Sequence, residues 1–118
     1  MKYMLLIHQV DAPTPPSEEW ERLSEDEQNA VFGAYKEINE TAGVSPGLWL
    51  QPPEAATTVR VQDGKTLTTD GPFVAVKEAL GGYLVFEADD LDGAIELASR
   101  IPAARMGGAV EVRPVVEY

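Results

Sequence analysis

Cysteine is absent from this 118-residue sequence. Disulfides, zinc–thiolate sites and a thiol nucleophile are therefore excluded. Histidine occurs once, at His8, so no His-rich metal cluster can form, and no spaced acidic calcium loop is present. Positive charge is sparse: nine Lys and Arg stand against twenty Asp and Glu, for a formal net charge of −11. The cations are scattered, and a chain with this balance repels phosphate backbones and anionic lipid, which argues against nucleic acid as a partner. Long apolar runs are missing too. The opening Met1-Lys2-Tyr3-Met4-Leu5-Leu6-Ile7-His8 is short and meets Gln9 and Asp11 with no small-residue cleavage site, and no run approaches a bilayer span. No glycine loop has a dinucleotide or P-loop spacing, and no nucleophile elbow occurs. The expectation is a soluble cytoplasmic protein with no membrane association, metal or cofactor.

What is present suits a single domain over residues 1–118. Tyr3 to Gln9 reads as a strand with Tyr3, Leu5 and Ile7 on one face and Met4, Leu6 and His8 on the other. Asp11 to Pro16 is a proline-rich connector, and Ser17 to Trp20 a short helical turn. Ser24 with Glu27 forms a capping box that opens a helix to about Ala42, with Val31, Ala34, Tyr35, Ile38 and Ala42 facing inward. Gly43 stops it. Leu48 to Leu50 is a short strand. Thr57 to Val61 and Thr66 to Thr69 are joined through Asp63-Gly64, a strong hairpin signal. Tyr83 to Ala88 is a second strand apolar on both faces. Asp89 or Asp90 caps a helix from Leu91 to Arg100 whose inward stripe is Leu91, Ala94, Ile95 and Ala98. Ala103 to Gly108 reads as a loop. Val110 to Val116 is the last strand, with Pro114 suited to an edge or strand end.

With the hairpin set aside, the order strand–helix–strand–strand–helix–strand is the βαββαβ arrangement of ferredoxin-like α+β folds. The first and third core strands are then central, and they are the two runs apolar on both faces. Both helices must cover the same face of the sheet. The other face is left with large apolar side chains, which marks an interface. A second copy packed sheet to sheet would bury it, with Met4 or Leu6 and Leu84 or Phe86 contributing.

Candidate chemistry gathers around Thr68 to Tyr83. Pro72 fixes its own φ and biases Gly71 away from the helical region, while Asp70 can accept from the amides just ahead of it. Asp70 therefore either caps its own turn or serves as a general base or polar-ligand contact. His8, on a face shared with Met4 and Leu6, is either a satisfied core residue or one half of a proton-shuttling pair with Asp70. Lys77 and Glu78 are either a solvated pair or split between cleft and solvent. Arg105 beside Gly107-Gly108 is either an exposed loop cation or an anion contact. Trp49 and Tyr83 either fill core or wall a pocket.

The succession Thr58-Val59-Arg60, Thr69-Asp70-Gly71-Pro72-Phe73, Lys77-Glu78, Gly81-Gly82-Tyr83, Pro102-Ala103-Ala104 and Glu111-Val112-Arg113-Pro114 resembles the DGPF branch of the YCII-related proteins over essentially the whole chain. The resemblance implies a dimeric α+β barrel of ferredoxin-like protomers. It also implies a small-molecule enzyme, since a His–Asp pair lining a cleft is proposed for such proteins; Asp70 matches the acid. A second implication is regulatory, because members of the branch are often encoded beside extracytoplasmic-function sigma factors. Three readings follow: an acid–base enzyme using Asp70 with His8, with Lys77, Glu78, Tyr83 and Arg105 as ligand contacts; a non-catalytic ligand-binding or regulatory dimer; or a scaffold dimer that contacts another protein.

Overall fold

A computed structural model describes residues 1–8, 18–51, 53–71 and 80–117. The elements are β1 (Lys2–His8), α1 (Glu18–Glu21), α2 (Glu25–Asn39), β2 (Val44–Trp49), a 3-10 turn (Pro53–Ala55), β3 (Thr57–Gln62), β4 (Lys65–Asp70), β5 (Leu80–Glu87), α3 (Leu91–Ser99), α4 (Pro102–Arg105) and β6 (Ala109–Pro114). Four strands form an antiparallel sheet in the order β2-β5-β1-β6, and β3 and β4 form a separate two-stranded sheet. The two strands apolar on both faces, β1 and β5, are the central ones. This is the ferredoxin-like α+β fold with a hairpin inserted between the second and third core strands.

Local signals set the helix ends. The Ser24 hydroxyl accepts from the Glu27 amide at 3.1 Å and the Glu27 carboxylate accepts from the Ser24 amide at 3.0 Å, so two helix-end donors are satisfied reciprocally. Asp90 caps α3 by accepting from the Gly93 amide at 2.9 Å. Gly43, with φ +90, leaves α2 for β2. Asp63 and Gly64 both have positive φ, the conformation that a two-residue turn needs to match strand twist.

Tyr3, Leu5, Ile7 and Leu84 form one buried cluster with Ile38 of α2, with Ala94, Leu97 and Ala98 of α3, and with Ile101 and Ala103 beside α4. Full burial of Leu5, Leu97 and Ile101 contributes roughly 1.5–3 kcal/mol for each side chain. The cross-strand partners Tyr3↔Phe86, Leu5↔Leu84 and Leu5↔Val112 put Phe86, Leu84 and Val112 on this helix-covered face. Lys2, Met4, Leu6 and His8 share the opposite face with Tyr83, Val85, Glu111 and Arg113.

Several sequence expectations are corrected here. Leu84 and Phe86 belong to the helix-packed core, and Tyr83 and Val85 take their place on the free face, because the β1–β5 register pairs Leu6 with Tyr83 and Met4 with Val85. The inward stripe of α3 includes Leu97, whereas Leu91 and Ile95 are exposed. Ala42 is exposed as well. The segment after Pro102 begins as a helical turn, since proline at the first helical position has φ already set for it. Strand β2 starts at Val44, earlier than Leu48. Ser45-Pro46-Gly47 has the composition of a turn, yet it lies at a sheet edge, where proline is tolerated. Gly47 is needed there: a Cβ would run into the Tyr83 carbonyl. Strand β6 is the other edge and ends in Pro114.

Candidate functional site

The lone histidine closes β1 on the helix-free face. Strand alternation puts His8 beside Leu6, and the β1–β6 register places Glu111 opposite Leu6 and diagonal to His8. The imidazole Nε2 lies 3.6 Å from Glu111 Oε1, with 24% of the His8 side chain exposed. That separation is an ion-pair distance and long for a hydrogen bond. The other carboxylate oxygen, Glu111 Oε2, accepts from Arg113 Nε at 2.8 Å and also from Arg113 Nη2. These Arg113 hydrogen bonds hold the Glu111 carboxyl below the usual glutamate range, opposed by partial burial and aided further by the Arg113 charge and by His8. Glu111 is therefore an anion at neutral pH, standing between a guanidinium and an imidazole.

Around this triad the free face is apolar. Met4, Leu6, Tyr83 and Val85 are half-buried, and Tyr83 is the cross-strand neighbour of Leu6. The structure thus brings His8 and Tyr83 to one face. Asp70 ends β4 in the other sheet, exposed to solvent. The next residue, Gly71, turns with φ +98, its amide donates to the Ala56 carbonyl at 2.7 Å and its carbonyl accepts from the Thr58 hydroxyl at 2.7 Å. The Asp70–Gly71 corner is thereby tied to the base of the hairpin. Lys77 and Glu78, with Pro72 and Phe73, lie outside the described residues. Arg105 is exposed at the end of α4. The glycines after it are occupied with the backbone: Gly107 has φ +92, the Gly108 amide donates to Ala103 at 2.9 Å, and a Cβ on Gly108 would meet the His8 carbonyl.

Glu111 was not singled out by the sequence. Its signal lay in the topology: once the last strand pairs antiparallel with the first, an acid two residues before Arg113 comes level with the end of β1.

A second concavity lies on the other side of the sheet. Ile7, Gly82 and Leu84 floor a cleft of about 190 Å³ whose walls include Tyr35 and Asn39 of α2 and Trp49 of β2. The Tyr35 and Trp49 rings stand 5.8 Å apart and tilted by 45°. Among the described residues, no carboxylate, imidazole, ammonium or guanidinium lines it. It can enclose a small apolar body and has Asn39 as a polar contact. Trp49 and Tyr83, expected from sequence either in the core or at a pocket wall, both line this cleft, Tyr83 reaching it at the β2 edge beside Gly47. Among the described residues no His, Asp and Glu group is placed to hold a metal ion, and no helix is long and apolar enough to cross a membrane.

Comparison with known proteins agrees with this architecture. An uncharacterized protein of Rhizobium meliloti (strain 1021) is 34% identical over 121 residues, an alignment that takes in 100% of this chain and 94% of the relative. The profile of the YCII-related domain matches residues 1–118. A match over the full length, together with the βαββαβ sheet, means that the chain belongs to the YCII-related domain family.

Proposed function

We propose that this protein is a homodimeric small-molecule enzyme of the acid–base type, with His8 as the proton-transfer group. The observation that carries the reading is the His8–Glu111 pair at 3.6 Å, set in a half-buried apolar face. The Glu111 carboxylate stands at one side of the ring, placed to orient His8 as it takes and gives a proton. Arg113 keeps that anion ionised and aimed. A second copy over the helix-free face would exclude water from the pair and strengthen its electrostatics. Asp70, exposed at the hairpin corner, is the second candidate acid, with Tyr83 as a ligand contact on the same face as His8. Membership of the DGPF branch and a cytoplasmic location belong to the same proposal.

The test is turnover of a panel of small esters, enol-forming ketones and halogenated phenols by the wild type, by His8→Gln and by Asp70→Asn. The reading expects at least one compound whose turnover falls by about 10²-fold or more in His8→Gln. Turnover that survives His8→Gln unchanged, or no turnover across the panel, overturns it.

The cleft beside Trp49 favours a second reading, a ligand-binding dimer without catalysis, acting in regulation linked to an extracytoplasmic-function sigma factor. Its described lining offers shape and aromatic surface and, among those residues, no acid–base group stronger than a phenol. Quenching of Trp49 fluorescence by compounds that the enzyme assay leaves intact supports this reading over the first.

A further inference from the structure

We propose that the β3–β4 hairpin is an arm that docks on a second copy of this chain, its Val59–Val61 face covering that copy's Leu48–Trp49–Leu50 segment. Every residue from Val59 to Asp70 is exposed. The register puts Val59 and Val61 on one face with Thr66 and Thr68 opposite them, and Val61 is 67% exposed. A two-stranded ribbon is marginal on its own and needs a third layer to hold it. The second exposed apolar surface is at the end of edge strand β2, where Leu48 is 68% exposed beside exposed Leu50 and the outer side of Trp49, whose ring meets Tyr35. The chain carries both halves of one contact, which is what a two-fold exchange between identical copies requires.

Charge selects the occupant. Residues 57–70 contain two cations, Arg60 and Lys65, and two anions, Asp63 and Asp70, so the arm is neutral in a chain of net charge −11. All of the excess negative charge lies elsewhere, and the arm is the part that approaches an identical acidic copy without repulsion.

Area points the same way. A four-stranded face with strands about 4.8 Å apart and about 20 Å long has a modest footprint, roughly 400 Å² in projection. An arm about 20 Å long enlarges the area that two copies bury toward that of a stable interface. The radius of gyration, 16.0 Å, exceeds the about 13.5 Å of a compact chain of this length, and an arm standing off the body shifts it in that direction.

The inference shares its second copy with the proposed function and is independent of the His8 chemistry. Because the chain is free of cysteine, Val61→Cys and Leu48→Cys can be prepared separately, mixed and oxidised with copper phenanthroline. The expected result is a mixed disulfide at dimer mass. Val61→Lys and Leu48→Lys, each at an exposed site and checked for folding by circular dichroism, should each weaken the dimer about tenfold or more in sedimentation equilibrium, as loss of an interface anchor does. A disulfide formed within one chain of the Leu48→Cys/Val61→Cys double variant at monomer mass overturns the arm exchange. A dimer that both lysine variants leave intact, with no mixed disulfide, overturns the arm alone. A wild-type monomer overturns the arm and the sheet-face dimer together.

Discussion

Glu111 is the residue on which the His8 cluster turns. Its carboxylate meets an imidazole through one oxygen and a guanidinium through the other. Glu111→Gln should therefore shift the His8 imidazole ¹⁵N resonances, and Asp70→Asn should leave them in place; a spectrum that responds only to Asp70→Asn would transfer the partnership to the hairpin corner. The Glu111 carboxyl is depressed, chiefly by Arg113. For a depressed acid the stabilising contact is complete above the unfolded value of about 4.3. It is lost as pH falls through the lower folded value. Carboxyl ¹³C titration of labelled glutamate should show two resonances, those of Glu27 and Glu111, moving at a lower pH than the exposed majority, and only the Glu111 resonance returning to them in Arg113→Gln. Gly47 is a different kind of residue-scale requirement. A methyl group there enters the Tyr83 carbonyl, so Gly47→Ala should destabilise the fold by roughly 1–3 kcal/mol through overpacking, read as a lower denaturation midpoint with an unchanged slope.

At the scale of elements, α2 is the best specified. Ser24→Ala removes one half of the capping box and should cost about 1 kcal/mol, measured by urea denaturation. The Glu27 carboxyl is held low first by the Ser24 amide and then by the Ser24 hydroxyl. The box therefore contributes fully above the ordinary glutamate range and fades as the solution is acidified through the lower folded value, so the gap between wild type and Ser24→Ala should narrow at low pH. Such local signals are why α2, α3 and the Asp63-Gly64 turn were legible in the sequence. Each is fixed by residues within four positions of one another. Strand β2 was read short because Ser45-Pro46-Gly47 makes sense only beside a particular neighbour, the Tyr83 backbone. The facing of Leu84 and Phe86 was misjudged for a related reason: alternation divides a strand into two faces without saying which of them the helices take. The His8–Glu111 pair spans more than a hundred positions and depends on the β1–β6 register, so no local pattern announced it. The fold class was nonetheless readable, because two strands apolar on both faces must be the central ones.

For the whole molecule the governing fact is apolar surface left over after the protomer has folded: the Met4, Leu6, Tyr83 and Val85 face, and the hairpin. Val85→Lys on the free face should convert a dimer to a monomer in light scattering at micromolar concentration while leaving the helix content unchanged, since the Leu5–Leu97 core lies on the opposite side of the sheet. A Val85→Lys dimer of unaltered affinity would rule out the sheet face as the interface. The two outer strands bear on a different hazard. The four-stranded sheet ends laterally in β2 and β6, and each carries a proline, Pro46 and Pro114. A proline offers no amide to a neighbouring strand. Lateral growth, one sheet adding to the rim of the next without limit, is thus blunted on both flanks of the four-stranded sheet. Replacing Pro46 and Pro114 by valine should shorten the lag before thioflavin-positive aggregate appears.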